Sequence, residues 1–166
     1  MSVLYQELVE RIRGEALDLE RVVQRALRVW PQAQKASGDQ DAYVDSVALN
    51  LHSFYSGLER LFELIARHLD RSLPKGETWH RDLLLQMAQD VADVRPAVID
   101  QDSVQSLDEF RRFRHLVRNV YTMNLAPDRM ASLMSVLPGL WERLRAELLA
   151  FADFLEELDQ AAPTEQ

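Results

Sequence analysis

Cysteine is missing from these 166 residues, which excludes thiol catalysis, disulfide staples and cysteine-based zinc sites at once. Glycine is scarce, with five in the chain. None of the five builds a glycine-rich phosphate loop, so nucleotide hydrolysis has no support. Long apolar runs are missing as well. No stretch approaches the roughly 20 apolar residues of a membrane span, and the opening MSVLYQELVERIRGE lacks the basic flank and apolar run of an export signal. The expectation is a cytoplasmic protein that does not engage a membrane. His52 and His68 have no metal-like spacing to other donors, and no HExxH pattern is present. No metal and no other cofactor is expected.

What is present is helix. Apolar residues recur at spacings of three and four almost throughout, and alternating runs are scarce. The spacing predicts a first helix over residues 3–35, which Pro31 is expected to bend or end early. ASGDQ breaks the chain, with Asp39 or Asp41 to cap a second helix over 41–69. SLPKGE is a turn, and Thr78 can cap a short third helix. RPAVIDQDS is a loop, after which Ser103 or Ser106 can cap a fourth helix. LAPDRM precedes a fifth that reaches residue 158 and is expected to kink at Pro138. These elements predict an all-α, up-and-down bundle of four or five helices. A single domain is expected over residues 1–160, with 161–166 a frayed tail.

Charge is the second feature. The net charge of −8 argues against a surface that coats nucleic acid broadly. Yet FRRFRHLVRNVYTMNL, residues 110–125, holds four arginines, and the window 110–130 has five arginines against the single acid Asp128. On a helical wheel at about 100° per residue, Arg111 and Arg118 fall within roughly 60° of Arg114 and form one stripe with it. Tyr121 sits at its edge, and His115 and Asn119 form an i, i+4 pair on the flank. One reading is a solvated face with salt bridges to the acidic last helix. The other is a phosphate or RNA site, because arginines at i and i+4 repel unless an anion or an acid sits between them, and arginine grips phosphate bidentately.

These residues resemble the HEPN superfamily, and within it the HepT-like toxins of HepT/MntA toxin–antitoxin systems. The motif R-x-x-x-x-H-x-Y is matched by Arg114 and Tyr121, with Asn119 at the histidine position and the polar His115 after the arginine. FYSGLERLFELIA (54–66) and LPKGETWHRDLLLQM (73–87) look like the second and third helices of such proteins. The resemblance implies a homodimer with a cleft between two motif helices. There RNA is cut without metal, with histidine transferring a proton and arginine stabilising charge on phosphorus. It also implies an MntA-like nucleotidyltransferase antitoxin that adds AMP to the motif tyrosine, here Tyr121. Asparagine has no titratable proton near neutral pH, so Asn119 departs from the pattern, and His115 is the alternative proton carrier.

Two functions follow as expectations. One is an endoribonuclease toxin acting on tRNA or mRNA, with Arg114, His115 and Asn119 catalytic and Arg111 and Arg118 binding the RNA backbone. The other is a non-catalytic HEPN-like dimeric module that binds RNA, a nucleotide or a protein partner through a basic cleft. Glu59, an acid in the most apolar helix, could accept from an arginine of the basic helix. His80, at the start of the third helix beside Trp79, could contact the cleft. For both residues a purely structural role stands as the alternative.

Overall fold

Leu8, Ile12, Ala16, Leu19, Val23 and Ala26 repeat every three or four residues and are all buried. A helix of 3.6 residues per turn turns such a set to one side. They lie on α1, Ser2–Gln34. The structure, a computed structural model, describes residues 2–119 and 126–162, without the side chains of Ser2, Arg118 and Asn119. Pro31 is inside α1, where it removes one i→i−4 hydrogen bond, and the helix stops within a turn of it.

The second helix, α2, is Gln40–Ile65. The sequence predicts it to residue 69, but the α-helix gives way to one π-helical turn, Ala66–Asp70. Arg71 ends that turn in the left-handed region, at φ 53°. The reason lies far along the chain. A wider turn re-aims the side chain that follows, here Asp70, whose carboxylate meets Arg95. Arg95 Nε and Nη2 donate to Asp70 Oδ1 and Oδ2 at 2.6 and 2.7 Å. Its Nη1 donates to the carbonyls of Gln89 and Pro96 at 2.9 and 3.0 Å. Both side chains are buried.

This staple fastens the loop between α3, Trp79–Met87, and α4, Gln101–Asn119. Val98 and Ile99 of the loop enter the core. The cap of α4 is neither Ser103 nor Ser106 but Asp100, whose Oδ1 accepts the Ser103 N–H at 2.7 Å. That bond holds the Asp100 carboxyl below its usual range. Ser103 is buried inside the helix, and its hydroxyl donates to Glu147 Oε1 at 2.5 Å. Glu147 lies on α5, Asp128–Ala161, which contains Pro138. Burial pushes its carboxyl up.

Around the core α1 packs on α2 and α5, and α4 packs on α2 and α5, which closes a ring of four helices. The short α3 lies against α2 and α4. Phe54 of α2 meets Phe110 of α4 and Trp141 of α5 edge to face, at ring distances of 5.4 and 6.0 Å. The fold is all-α, with no strand among the described residues and one isolated bridge between Val91 and Arg95. No helix among them is long and apolar enough to cross a membrane.

Gly57 sets the approach of α1 to α2. A Cβ built there would stand 2.6 Å from Glu15 Oε1 and 2.9 Å from Leu19 Cδ2. Gly14 of α1 has nothing within 4 Å of the same construction. Thermal denaturation should separate the two sites. Gly57→Leu is expected to cost about 1–3 kcal/mol by overpacking, whereas Gly14→Ala should gain about 0.5–1 kcal/mol from helix propensity. A neutral Gly57→Leu would mean that α1 and α2 are not this close.

Candidate functional site

Tyr55 and Glu59 stand four residues apart on α2 and so share a face. Arg114 stands on α4 two turns after Leu107, which points the same way and is fully buried. The helix therefore turns Arg114 inward, and its side chain is 9% exposed. Taking a guanidinium out of water is costly unless a partner meets it. Glu59, 7% exposed, is that partner. Arg114 Nη1 donates to Glu59 Oε1 at 2.7 Å and Nη2 to Oε2 at 3.2 Å. The guanidinium carbon sits 5.1 Å from the centre of the Tyr55 ring, a cation–π contact. Burial and then the Glu59 charge push the Tyr55 phenol up, so it stays protonated.

A third group enters from the first turn of α3. His80 Nδ1 lies 2.8 Å from Glu59 Oε2 and 2.9 Å from Arg114 Nη2. Nδ1 can bond only one of these neighbours, because donating to Glu59 needs Nδ1–H and accepting from Arg114 Nη2 needs its lone pair; we assign Nδ1–H, given to Glu59 at the shorter distance. Glu59 Oε2 thus receives both the arginine and the imidazole, and the other ring nitrogen, Nε2, is not needed to hold the cluster. Trp79 stacks on the imidazole at 3.6 Å. The imidazole side chain is 25% exposed, so it is the part of the cluster nearest the surface. One donor in the cluster is left over. Arg114 Nε is buried without a hydrogen-bond partner among the described residues.

Arg111 and Arg112 are paired within α4. Arg111 Nε pairs with Asp108 at 2.8 Å, and Arg112 pairs with Asp108 at 3.0 Å and with Glu109 at 3.9 Å. The partners are the two acids just upstream of the arginine-rich stretch, not the acidic last helix. His115 is exposed on the flank of α4. The backbone of Arg118 and Asn119 belongs to α4, but their side chains are outside the described set. Tyr121 lies outside the described residues altogether, as does the end of the tail, 163–166. Among the described residues no three or more His, Asp or Glu side chains converge as a metal site would require.

Glu59, His80 and Arg114 come from three different helices, and the family model for HepT-like proteins matches residues 46–155, which hold all three. The chain belongs to the HepT-like family. No curated protein and no solved structure matches it. In this HepT-like chain Arg114 of α4 is tied to α2 by Glu59 and lies beside His80 of α3. Tyr55, buried beneath Arg114, is the member of the cluster that the sequence did not single out. The signal was its four-residue spacing from Glu59.

Proposed function

We propose that the protein is a HepT-like toxin, a metal-independent endoribonuclease that acts on tRNA or mRNA as a homodimer. A nucleotidyltransferase antitoxin would silence it by transferring AMP to Tyr121. The observation that supports this best is the Glu59–Arg114–His80 cluster inside the region that matches the family. In this reading Arg114 is a guanidinium held in a fixed orientation, which is what charge stabilisation at phosphorus needs. Arg111 and Arg118 follow the RNA backbone. The 2′-hydroxyl attacks the neighbouring phosphate, and a histidine near Arg114 moves the proton.

Cleavage of total tRNA in EDTA tests the assignment. Arg114→Ala, and Arg114→Lys, which keeps the charge but not the planar fork, should each lower the rate by about 10²–10³-fold. Arg114→Ala should also abolish growth inhibition on expression without the antitoxin. If both variants remain as active and as toxic as the parent, the site is elsewhere.

A second reading is the non-catalytic dimeric module. It is favoured by Asn119 at the motif's histidine position and by the acids already paired with Arg111, Arg112 and Arg114. On that reading the parent chain is harmless and cuts nothing, while RNA or an acidic partner still binds in a salt-dependent way.

A further inference from the structure

We propose that His80 is the proton-transferring residue of this site, oriented by Glu59, and that it fills the role Asn119 cannot. The inference rests on the ribonuclease reading above and deepens it.

Cleavage through the 2′-hydroxyl needs a group that takes one proton and returns one. Asparagine has none to exchange near neutral pH. His115 follows Arg114 directly in α4, and neighbouring helical side chains diverge by about 100°, so the two do not share a direction. The burial agrees: Arg114 is buried and His115 exposed. His80 has no such conflict. It comes from another helix, and its ring lies beside the guanidinium, with Nδ1 2.9 Å from Arg114 Nη2.

Three further features fit the role. Glu59 Oε2 lies 2.8 Å from Nδ1, and Nδ1–H donated to it leaves Nε2 as the basic nitrogen of the neutral ring. Trp79, stacked at 3.6 Å with a 30° tilt, restrains the ring plane. The imidazole is also more exposed than either charged partner, 25% against 9% and 7%, so a ligand that approaches the cluster meets the ring first. The unpaired Nε–H of Arg114 is consistent with a cluster not built for stability alone, since such a donor costs about 1–3 kcal/mol.

The step balances as follows. His80 Nε2 takes the proton of the ribose 2′-hydroxyl as O2′ bonds to phosphorus. The bond from phosphorus to O5′ breaks, and the imidazolium returns its proton to O5′, directly or through water. The products are a 2′,3′-cyclic phosphate and a 5′-hydroxyl end. Arg114 offsets charge on the non-bridging oxygens, and Glu59, a positioning residue, ends the cycle unchanged.

The test is the rate of tRNA cleavage in EDTA from pH 5 to 9, with RNA affinity measured beside it, for the parent, His80→Asn, His80→Ala and His115→Asn. His80→Asn can keep an N–H toward Glu59 while it loses Nε2. The expected result is a loss of about 10²–10⁴-fold in rate, with affinity unchanged within threefold and a rate profile that loses its dependence on one ionisation. Added imidazole should restore part of the activity of His80→Ala. If the parent cuts and His80→Asn stays within threefold of it, or if His115→Asn removes the activity instead, His80 is not the proton carrier, although the ribonuclease reading stands. If the parent is inert at every pH, both fail. If it is inert but Asn119→His cuts, the site is right and His80 does not substitute.

Discussion

Glu59→Ala lowers the folding stability by about 3–5 kcal/mol, read as a shift in the urea midpoint with little change in slope. The size follows from what remains. A guanidinium carries its charge in proteins, and the Arg114 side chain is buried against Glu59, His80 and the Tyr55 ring. Without the carboxylate, a full charge stays in the bundle with no counter-charge. His80 loses its acceptor in the same change. Glu59→Gln, which keeps one acceptor oxygen, should cost less. Glu59→Leu combined with Arg114→Met should recover much of the loss, because removing both charges avoids the penalty that removing one creates. A loss under about 1 kcal/mol for Glu59→Ala would mean that the pair is solvated.

Arg95→Ala has a comparable cost, again about 3–5 kcal/mol, but a different signature. Arg95 does not hold helix to helix. It ties Asp70 of the π turn to the carbonyls of Gln89 and Pro96, and its Nη2 lies 3.3 Å from the Gln86 carbonyl. Its loss strands the Asp70 carboxylate, which keeps only the Gln86 amide at 2.7 Å. Amide exchange should therefore rise first in residues 88–100 and in the π turn, before the ring of four helices opens. Arg95→Lys should fail to rescue, since an ammonium cannot serve two carboxylate oxygens and two carbonyls in one plane. Uniform exchange across the whole bundle would show that the staple is not a local fastening.

The bundle was legible because its signal is local. Apolar spacing alone puts Leu8, Ile12 and Leu19 on one side of α1, and all three are buried. The π turn was not legible, because its cause is a partner 25 residues downstream, beyond any periodicity. The cap of α4 was misplaced by a turn. Ser103 has the right chemistry for a cap, but Asp100 sits at the right backbone position and Ser103 faces Glu147 instead. The arginine stretch misled through its boundaries: counting from Phe110 leaves out Asp108 and Glu109, the two acids that pair with Arg111 and Arg112. Glu59 could be singled out as an acid in an apolar helix. Its contact with Arg114 depends on how α2 and α4 pack, which no single helix encodes.

Gly57 and Glu59 are two residues apart on α2, about 200° around its axis. The face that lets α1 come close thus lies nearly opposite the face that carries the carboxylate. A side chain at position 57 would first displace the ends of the Glu15 and Leu19 side chains, 2.6 and 2.9 Å from its Cβ, and a large one would press α1 and α2 apart. α2 therefore serves two contacts at once, close packing on α1 behind and the ion pair with Arg114 in front, so a shift of this one helix is felt at both.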